Sequence, residues 1–206
     1  MILTKDKKHL LKNSGEESSK QDDGTVGVIN LGGDGLPRIV TLWGKIGPEM
    51  SRHTIQYILE LTAEDPTSPI EMWINSTGGD YVEATAIYDI MQYVPCPIHT
   101  IAIGEAMSAA TLLLAAGEPG CRSIFPHTRL MIHQLSYSYS GTLTDMNNMQ
   151  KEVNTMQGMM AKMMAKHTKM TAKQVQKVFE ANLDEYLSPK QTVEKGFTDF
   201  IRGKEK

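Results

Sequence analysis

Apolar and polar positions along this chain follow two alternating periodicities. Short apolar runs predict strands, and apolar residues spaced three or four positions apart predict amphipathic helices. Strands are predicted at 25–31, 38–43, 70–75, 97–103, 121–125 and 129–133, and helices at 48–63, 80–93, 108–116 and 142–167. Strands that alternate with helices in this way are typical of βαβ crossovers, so we predict an α/β fold with a largely parallel sheet.

The two ends of the chain differ from this alternating core. Residues 1–24 combine Lys, Asp, Glu, Ser and Gln with few apolar side chains, which predicts a disordered or processed arm. We expect a separate loop or strand segment at 25–37 and a single domain at 38–206. Near the C-terminus, Thr171–Gln174 and Ser188–Gln191 have the sequence of capping boxes, so each predicts the start of a further helix.

Composition excludes several classes of function. The formal net charge is −3, which gives no electrostatic basis for a nucleic-acid partner. No apolar run approaches the roughly 20 residues that span a bilayer, and the first residues lack the features of a secretory signal. Cys96 and Cys121 lie far apart and outside any metal-binding motif, so we expect no zinc, no disulfide framework and a reducing, cytoplasmic setting.

The stretch I-A-I-G-E-A-M-S-A-A places Ser108 where a predicted strand turns into a predicted helix, and His133 ends a later predicted strand. Both side chains can project from the carboxyl edge of one sheet, where a nucleophile and its base would come within hydrogen-bond reach. The small neighbours of Ser108 leave its hydroxyl approachable, and N–H groups at a helix N-terminus suit a developing oxyanion. The alternatives are structural: a helix-capping serine and a histidine that packs in the fold.

Other residues compete for roles at this site. His127 is nearer to Ser108 in the sequence but lies in a turn-like F-P-H-T segment, and no lysine for a Ser–Lys pair occurs between Lys45 and Lys151. Composition alone leaves the acid that would orient the histidine open among Asp184, Asp199, Glu185 and Asp89.

Two further stretches allow a structural or a functional interpretation. Gly78-Gly79 predicts either a tight turn alone or a close backbone approach to a ligand, with the Gly79 N–H directed into the site. Eight of the fourteen methionines fall between Met146 and Met170, and seven of these lie on the predicted long helix. Methionine adapts to irregular contacts, so this helix predicts a packing and oligomerisation surface rather than a cofactor site.

Four motifs, in this order and spacing, carry a resemblance to a known family: I-N-S-T-G-G (74–79), G-E-A-M-S-A-A (104–110), L-M-I-H-Q (130–134) and D-E-Y-L-S (184–188). They resemble ClpP, the proteolytic subunit of the Clp protease, and the agreement extends from about residue 38 to residue 201. The resemblance implies a crotonase-like fold of repeated ββα or βαβ units with a protruding handle at about 135–167, and it makes 25–37 an axial segment.

The resemblance also implies a role for individual residues. Ser108 is expected to be the nucleophile, His133 the base and Asp184 the orienting acid. The implied oxyanion hole consists of the backbone N–H groups of Gly79 and Ala109. The residues expected to line the bound substrate are Asp80, Gln134 and Leu135.

The implied protein is a serine endopeptidase subunit that hydrolyses unfolded polypeptides through an acyl-enzyme, without metal or cofactor. Two stacked heptameric rings of identical subunits would form a closed barrel, fed by an AAA+ Clp unfoldase. Nucleic acid and membrane are not expected as partners. The expected location is the cytoplasm, or the stroma or matrix of an organelle.

The chain also departs from the family pattern. Thr77 and Leu135 stand where the family usually has proline, and Asp80-Tyr81 stands where small residues are common. An acidic residue beside the oxyanion-hole glycine can change substrate preference or raise the cost of forming a nearby anion. Two other functions therefore stay open: a catalytically silent structural subunit of the barrel, and a crotonase-type acyl-CoA enzyme.

Overall fold

The computed structural model describes residues 24–30, 37–181 and 183–203 of the chain. Apart from Gly24, the predicted arm at 1–24 lies outside the described residues, as do residues 31–36 of the predicted N-terminal segment. The strands of the described part are β1 (Thr25–Asn30), β2 (Arg38–Ile46), β3 (Ile70–Gly79), β4 (Ile98–Met107), β5 (Ser123–Ile124), β6 (Arg129–Ile132), β7 (Glu185–Leu187) and β8 (Phe200–Ile201).

The helices lie between these strands and follow the apolar periodicity of the sequence. They are α1 (Pro48–Glu64), α2 (Tyr81–Tyr93), α3 (Ala109–Ala115), α4 (Leu143–His167), α5 (Ala172–Glu180) and α6 (Pro189–Glu194). Both predicted capping boxes are present, at the start of α5 and of α6. None of these helices combines the length and the apolarity that crossing a bilayer requires.

One mixed sheet forms the centre of the fold, with the order β1-β2-β3-β4-β5-β8. The pairs β2–β3, β3–β4, β4–β5 and β5–β8 are parallel, while β1 pairs with β2 in the antiparallel sense. Off this path, β6 runs parallel to the end of β4 and antiparallel to β7. The predicted α/β fold with a mostly parallel sheet is confirmed.

The core lies between the sheet and its helices. In β3, Ile70, Met72 and Ile74 are fully buried, and they alternate with partly exposed residues. All seven residues of α3 are buried, which explains why its sequence is apolar on every face. The element that follows Ser108 is therefore held rigidly in the interior.

Three strands extend beyond the ends that their apolar runs predict, and β2 does so from Trp43 to Ile46. β3 continues from the predicted end at Asn75 to Gly79, and β4 continues from Ile103 to Met107. Backbone pairing with β2 and β6 maintains these extensions, and it requires no apolar side chains. The polar and glycine residues that the sequence assigned to turns consequently lie at the carboxyl ends of strands.

Candidate active site

The ends of three strands bring Ser108, His133 and Asp184 together. The Ser108 N–H donates to the carbonyl of Met131 at 2.8 Å, which fixes the end of β4 against β6. In the antiparallel β6–β7 pair, Ile132 lies opposite Glu185. The next position of that register sets His133 opposite Asp184.

The His133 ring lies between the side chains of Ser108 and Asp184. His133 Nε2 lies 2.7 Å from Ser108 Oγ, a hydrogen-bond distance. On the other side of the ring, Nδ1 lies 3.7 Å from Asp184 Oδ1, an ion-pair distance that is longer than a hydrogen bond. The His133 side chain is 27% exposed and that of Asp184 is 51% exposed, so solvent reaches the carboxylate more easily than the ring.

Ser108 occupies the residue position before α3, yet its hydroxyl makes no capping hydrogen bond. Its φ of 53° and ψ of −125° are unusual for a residue with a Cβ, and a conformation of this kind costs about 1–3 kcal/mol. The strand turns sharply here and directs the hydroxyl toward His133 instead of along the helix. Ala106 and Ala110, two residues to each side, are fully buried and small enough for close packing.

A glycine turn packs directly against the serine. Gly78 has a φ of 82°, and a Cβ at this position would lie 2.7 Å from Ser108 Cβ and 2.9 Å from the Ala109 nitrogen. Ser76, which sequence reasoning did not single out, braces the turn, because its hydroxyl donates to the Gly44 carbonyl at 2.6 Å and accepts from the Gly78 N–H at 3.1 Å. The backbone of Gly78 and the first N–H of α3 therefore lie side by side.

The structure separates the competing acids. Asp199 forms a salt bridge of 2.6 Å with Arg122; burial would raise the pKa of this carboxyl, but the hydrogen bonds and charge of Arg122 hold it below its ordinary value. Glu185 pairs with Lys195 at 2.9 Å. Among the described residues, Asp184 is the acid that pairs with His133.

The competing histidine is also placed elsewhere. His127 is exposed in the loop between β5 and β6, whereas the serine contact is made by His133.

A pocket of about 240 Å³ opens beside the serine and the histidine. Two of the three predicted substrate-lining residues, Asp80 and Leu135, line it, and Gln134 does not. Its wall also contains residues that the sequence reasoning did not assign to the site: Tyr81, Val82, Ser136, Tyr137, Met149, Val153 and Met156. The last three recur at helical spacing on α4, and this spacing was the available signal that one face of the methionine-rich helix borders the site.

The wall between α2 and α4 has a negative electrostatic environment. The Tyr81 hydroxyl is buried without a hydrogen-bond partner in the described part of the chain. Its pKa is raised, first by burial and then by the carboxylates of Asp89 and Glu152. Asp80, at the mouth of the pocket, caps α2 by accepting from the N–H groups of Val82 and Glu83.

This arrangement can perform nucleophilic chemistry. A hydroxyl next to an imidazole, which itself has a carboxylate behind it, is the geometry by which a serine is activated for attack on a carbonyl carbon. The N–H of Ala109, at the first position of α3, lies beside the Gly78 backbone and can donate to an oxyanion.

Comparison with known proteins points to one family. The family model described as Clp protease matches residues 36–205. The ATP-dependent Clp protease proteolytic subunit 2 of Corynebacterium efficiens is 38% identical over 164 residues, which cover 80% of this chain and 81% of the relative. Proteolytic subunit 1 of Corynebacterium jeikeium is 37% identical over 164 residues, covering 80% and 86%. That of Corynebacterium diphtheriae is 36% identical over 165 residues, covering 80% and 78%.

Proposed function

Because the chain belongs to the Clp protease family and is a ClpP-like serine-type endopeptidase, we propose that Ser108, His133 and Asp184 form its catalytic triad. The observation that carries the proposal is the 2.7 Å contact between His133 Nε2 and Ser108 Oγ. The strained backbone at Ser108 supports it, because a helix cap alone would need no such conformation.

In the proposed mechanism, Ser108 Oγ attacks the carbonyl carbon of a peptide bond while His133 Nε2 accepts the hydroxyl proton. His133 then donates that proton to the leaving amine, and the acyl group remains on Ser108. Water, deprotonated by the same imidazole, releases the acyl group. Asp184 holds the ring with Nδ1 protonated, and we propose that the 3.7 Å separation shortens when the ring becomes charged.

The oxyanion that forms in each step needs hydrogen-bond donors. We assign this role to the N–H groups of Gly79 and Ala109. Ala109 is the first residue of α3, where a backbone N–H has no partner within the helix. The close approach of Gly78 to the Ala109 nitrogen supports the assignment, because it sets the glycine turn beside this donor.

We extend the proposal to an assembly of two stacked heptameric rings that degrades unfolded polypeptides delivered by an AAA+ unfoldase. Three similar proteins carry names that describe a proteolytic subunit of an ATP-dependent Clp protease. Exposed apolar residues on the handle, such as Leu143, support an interface between copies. A cytoplasmic location is also proposed, in keeping with the free thiols of Cys96 and Cys121.

Active-site labelling tests the triad. An alkyl fluorophosphonate should modify the assembled wild-type particle at Ser108, as located by peptide mass spectrometry, and Ser108→Ala should abolish both labelling and peptide hydrolysis. We expect Asp184→Asn to lower kcat by about 10³- to 10⁴-fold, because the ring loses its orienting charge. The matched variant Glu185→Gln removes the neighbouring carboxylate and should retain activity.

A second pair of variants tests the base. His133→Ala should eliminate turnover, while His127→Ala, which changes an exposed loop histidine, should not. The proposal would be wrong if an assembled particle hydrolysed peptides equally well with and without the Ser108 hydroxyl. A particle that assembles but shows neither labelling nor turnover would instead indicate a silent structural subunit.

A further inference from the structure

We infer that Asp80 makes the pocket beside Ser108 selective for a substrate side chain with an apolar stem and a cationic end, as in lysine and arginine. The inference rests on the proposed function, because it concerns the residue whose carbonyl carbon Ser108 attacks. It goes beyond that function by assigning the chemical class of this residue.

The first step concerns the position of the carboxylate. Asp80 follows Gly79 directly, is exposed, and lines the pocket together with Ser108 and His133. Its Oδ1 accepts both capping hydrogen bonds, from Val82 at 2.7 Å and from Glu83 at 3.2 Å. In the part of the chain that the structure describes, no cationic side chain pairs with this carboxylate, so its charge is partly offset by the N-terminus of α2 but not by a neighbouring cation.

The second step concerns the other walls. No lysine or arginine lines the pocket, and most of the remaining lining residues offer aliphatic, thioether or aromatic surface, including Val82, Leu135 and Met149. Behind the wall, Asp89 and Glu152 add negative charge near the Tyr81 hydroxyl. The pocket therefore combines a mostly apolar lining with one carboxylate among its lining residues, that of Asp80.

The third step matches a ligand to these walls. Lysine and arginine bury their methylene stems along apolar surface while the charged end stays near water. Such a side chain can lie along the methionine side chains of the pocket, Met149 and Met156, and direct its charge to Asp80. A glutamate of similar length would bring a second carboxylate to the same place, where like charges repel.

The side chain in question belongs to the acyl part of the substrate. Its Cα is bonded to the carbon that Ser108 attacks, whereas the leaving-group residue is joined through the nitrogen. The side chain on the acyl side therefore starts closer to the carbon that Ser108 attacks, and the pocket that Ser108 borders lies within its reach.

The expected effect is moderate, because Asp80 is exposed and interactions between exposed charges are weakened by water. An ion pair of this kind changes an equilibrium by about two- to fivefold. Salt should reduce the effect further, since charges in contact with solvent are screened.

Three fluorogenic peptides test the inference with the assembled full-length particle. They share one sequence and differ only in the residue before the coumarin leaving group, which is lysine, norleucine or glutamate. We expect kcat/KM to fall in that order. Asp80→Asn should lower the lysine-to-norleucine ratio by about two- to fivefold and raise the glutamate-to-norleucine ratio by a similar factor. In the wild type, high ionic strength should move both ratios in the same directions.

The variant keeps the helix cap, because asparagine is as good a capping residue as aspartate. Asp80→Ser, a second neutral capping residue, should give the same ratios. Glu118→Gln removes one negative charge from an exposed turn outside this pocket, and it should leave the ratios as in the wild type. Norleucine provides the internal reference, because any effect of Asp80 on the oxyanion acts on all three peptides alike.

The outcomes separate this inference from the proposed function. Labelling at Ser108 with peptide ratios that are identical in wild type and Asp80→Asn would overturn the selectivity and leave the protease intact. Failure to cleave any of the peptides, together with no labelling at Ser108, would overturn the proposed function and this inference with it.

Discussion

Ser108 and Gly78 adopt backbone conformations that most residues avoid, and they touch one another. The serine carries a Cβ at a φ of 53°, and the glycine at a φ of 82° leaves the space that this Cβ needs. A side chain at position 78 would also lie 2.5 Å from the Met107 carbonyl oxygen. The geometry of the candidate nucleophile thus depends on a missing side chain thirty residues earlier in the chain.

We predict that Gly78→Ala abolishes peptide hydrolysis and destabilises the fold by more than the backbone conformation alone explains. Gly120 provides the matched control, because its φ of 86° is nearly the same and a Cβ there would meet nothing within 4 Å. Gly120→Ala should cost about 1–2 kcal/mol, the penalty of the left-handed conformation, and retain activity. Urea denaturation and peptide turnover of both variants would measure the difference. Equal losses in both would contradict steric support of Ser108.

Some residues of the candidate site could be predicted from the sequence alone. Ser108 and His133 stand out because both follow strongly apolar runs, and parallel strands end at one edge. Asp184 does not stand out, because it precedes β7, a strand of only three residues. Its position depends on the pairing of β7 with β6, which is distant in the sequence. The assignment of Asp184 as the orienting acid came from the resemblance to a family and not from composition.

Among the elements, α4 has the most varied environment. Its middle residues Val153, Met160 and Met164 are buried, whereas Met159 is half exposed. At its C-terminal end, His167 Nε2 lies 2.9 Å from the Tyr88 hydroxyl, and Arg122 donates to the His167 carbonyl. The interactions of this end join α4 to α2 and to the start of β5.

The pKa of His167 predicts how this attachment responds to acid. A histidine at a helix C-terminus usually has a raised pKa, because the helix dipole favours the charged ring. Here burial dominates, and nearby Lys166 and Arg122 add to it, so the pKa falls from 6.5 to about 4. Between about pH 6.5 and pH 4, His167 is therefore protonated in the unfolded chain and neutral in the folded chain.

We accordingly predict that the free energy of unfolding loses a contribution from His167 as the pH falls from about 6.5 to 4, and that it gains none above pH 7. His167→Gln cannot titrate, so its melting temperature should fall less steeply over this interval. Thermal unfolding of both proteins at matched pH values measures the difference, because the remaining histidines contribute equally to each. Parallel curves would show that His167 titrates normally in the fold.

Element types were predictable, whereas their ends were less so. Apolar spacing identified α1 to α4 and β1 to β6, because burial on one face determines that spacing. The short strands β7 and β8 were not predicted. The carboxyl ends of β2, β3 and β4 were missed, because backbone pairing extends β2 to Ile46 and the other two strands through S-T-G-G and G-E-A-M. Residues 136–140, between β6 and α4, have no regular structure.

For the whole molecule, the exposed apolar surface at the start of α4 and in the segment before it bears on assembly. Leu143 is 74% exposed and Met146 is 49% exposed, near Tyr137 and Tyr139, which are also more than 40% exposed. These four residues line a groove of about 330 Å³ at the start of α4. Apolar surface of this kind is usual for an interface that is covered in the assembled protein.

We predict that the double variant Leu143→Asp/Met146→Asp assembles into smaller particles than the wild type, because carboxylates would be buried at the interface between copies. Lys162→Asp, on a polar exposed position of the same helix, introduces one of the same side chains without changing the apolar surface. Size-exclusion chromatography with light scattering, followed by negative-stain imaging, would measure particle mass. An unchanged mass for the double variant would exclude this surface as the assembly contact.

The conformation of Ser108 has a practical consequence for making an inactive form of the enzyme. Alanine retains the Cβ, so Ser108→Ala removes only the hydroxyl and keeps the local tension that fixes the entry to α3. Glycine would release that tension, and the amide of Ala109 would then be free to turn away. An alanine variant used as a substrate trap would therefore hold a bound peptide in a nearly native site. In a glycine variant, loss of the nucleophile and movement of the Ala109 amide would occur together, and their effects could not be separated.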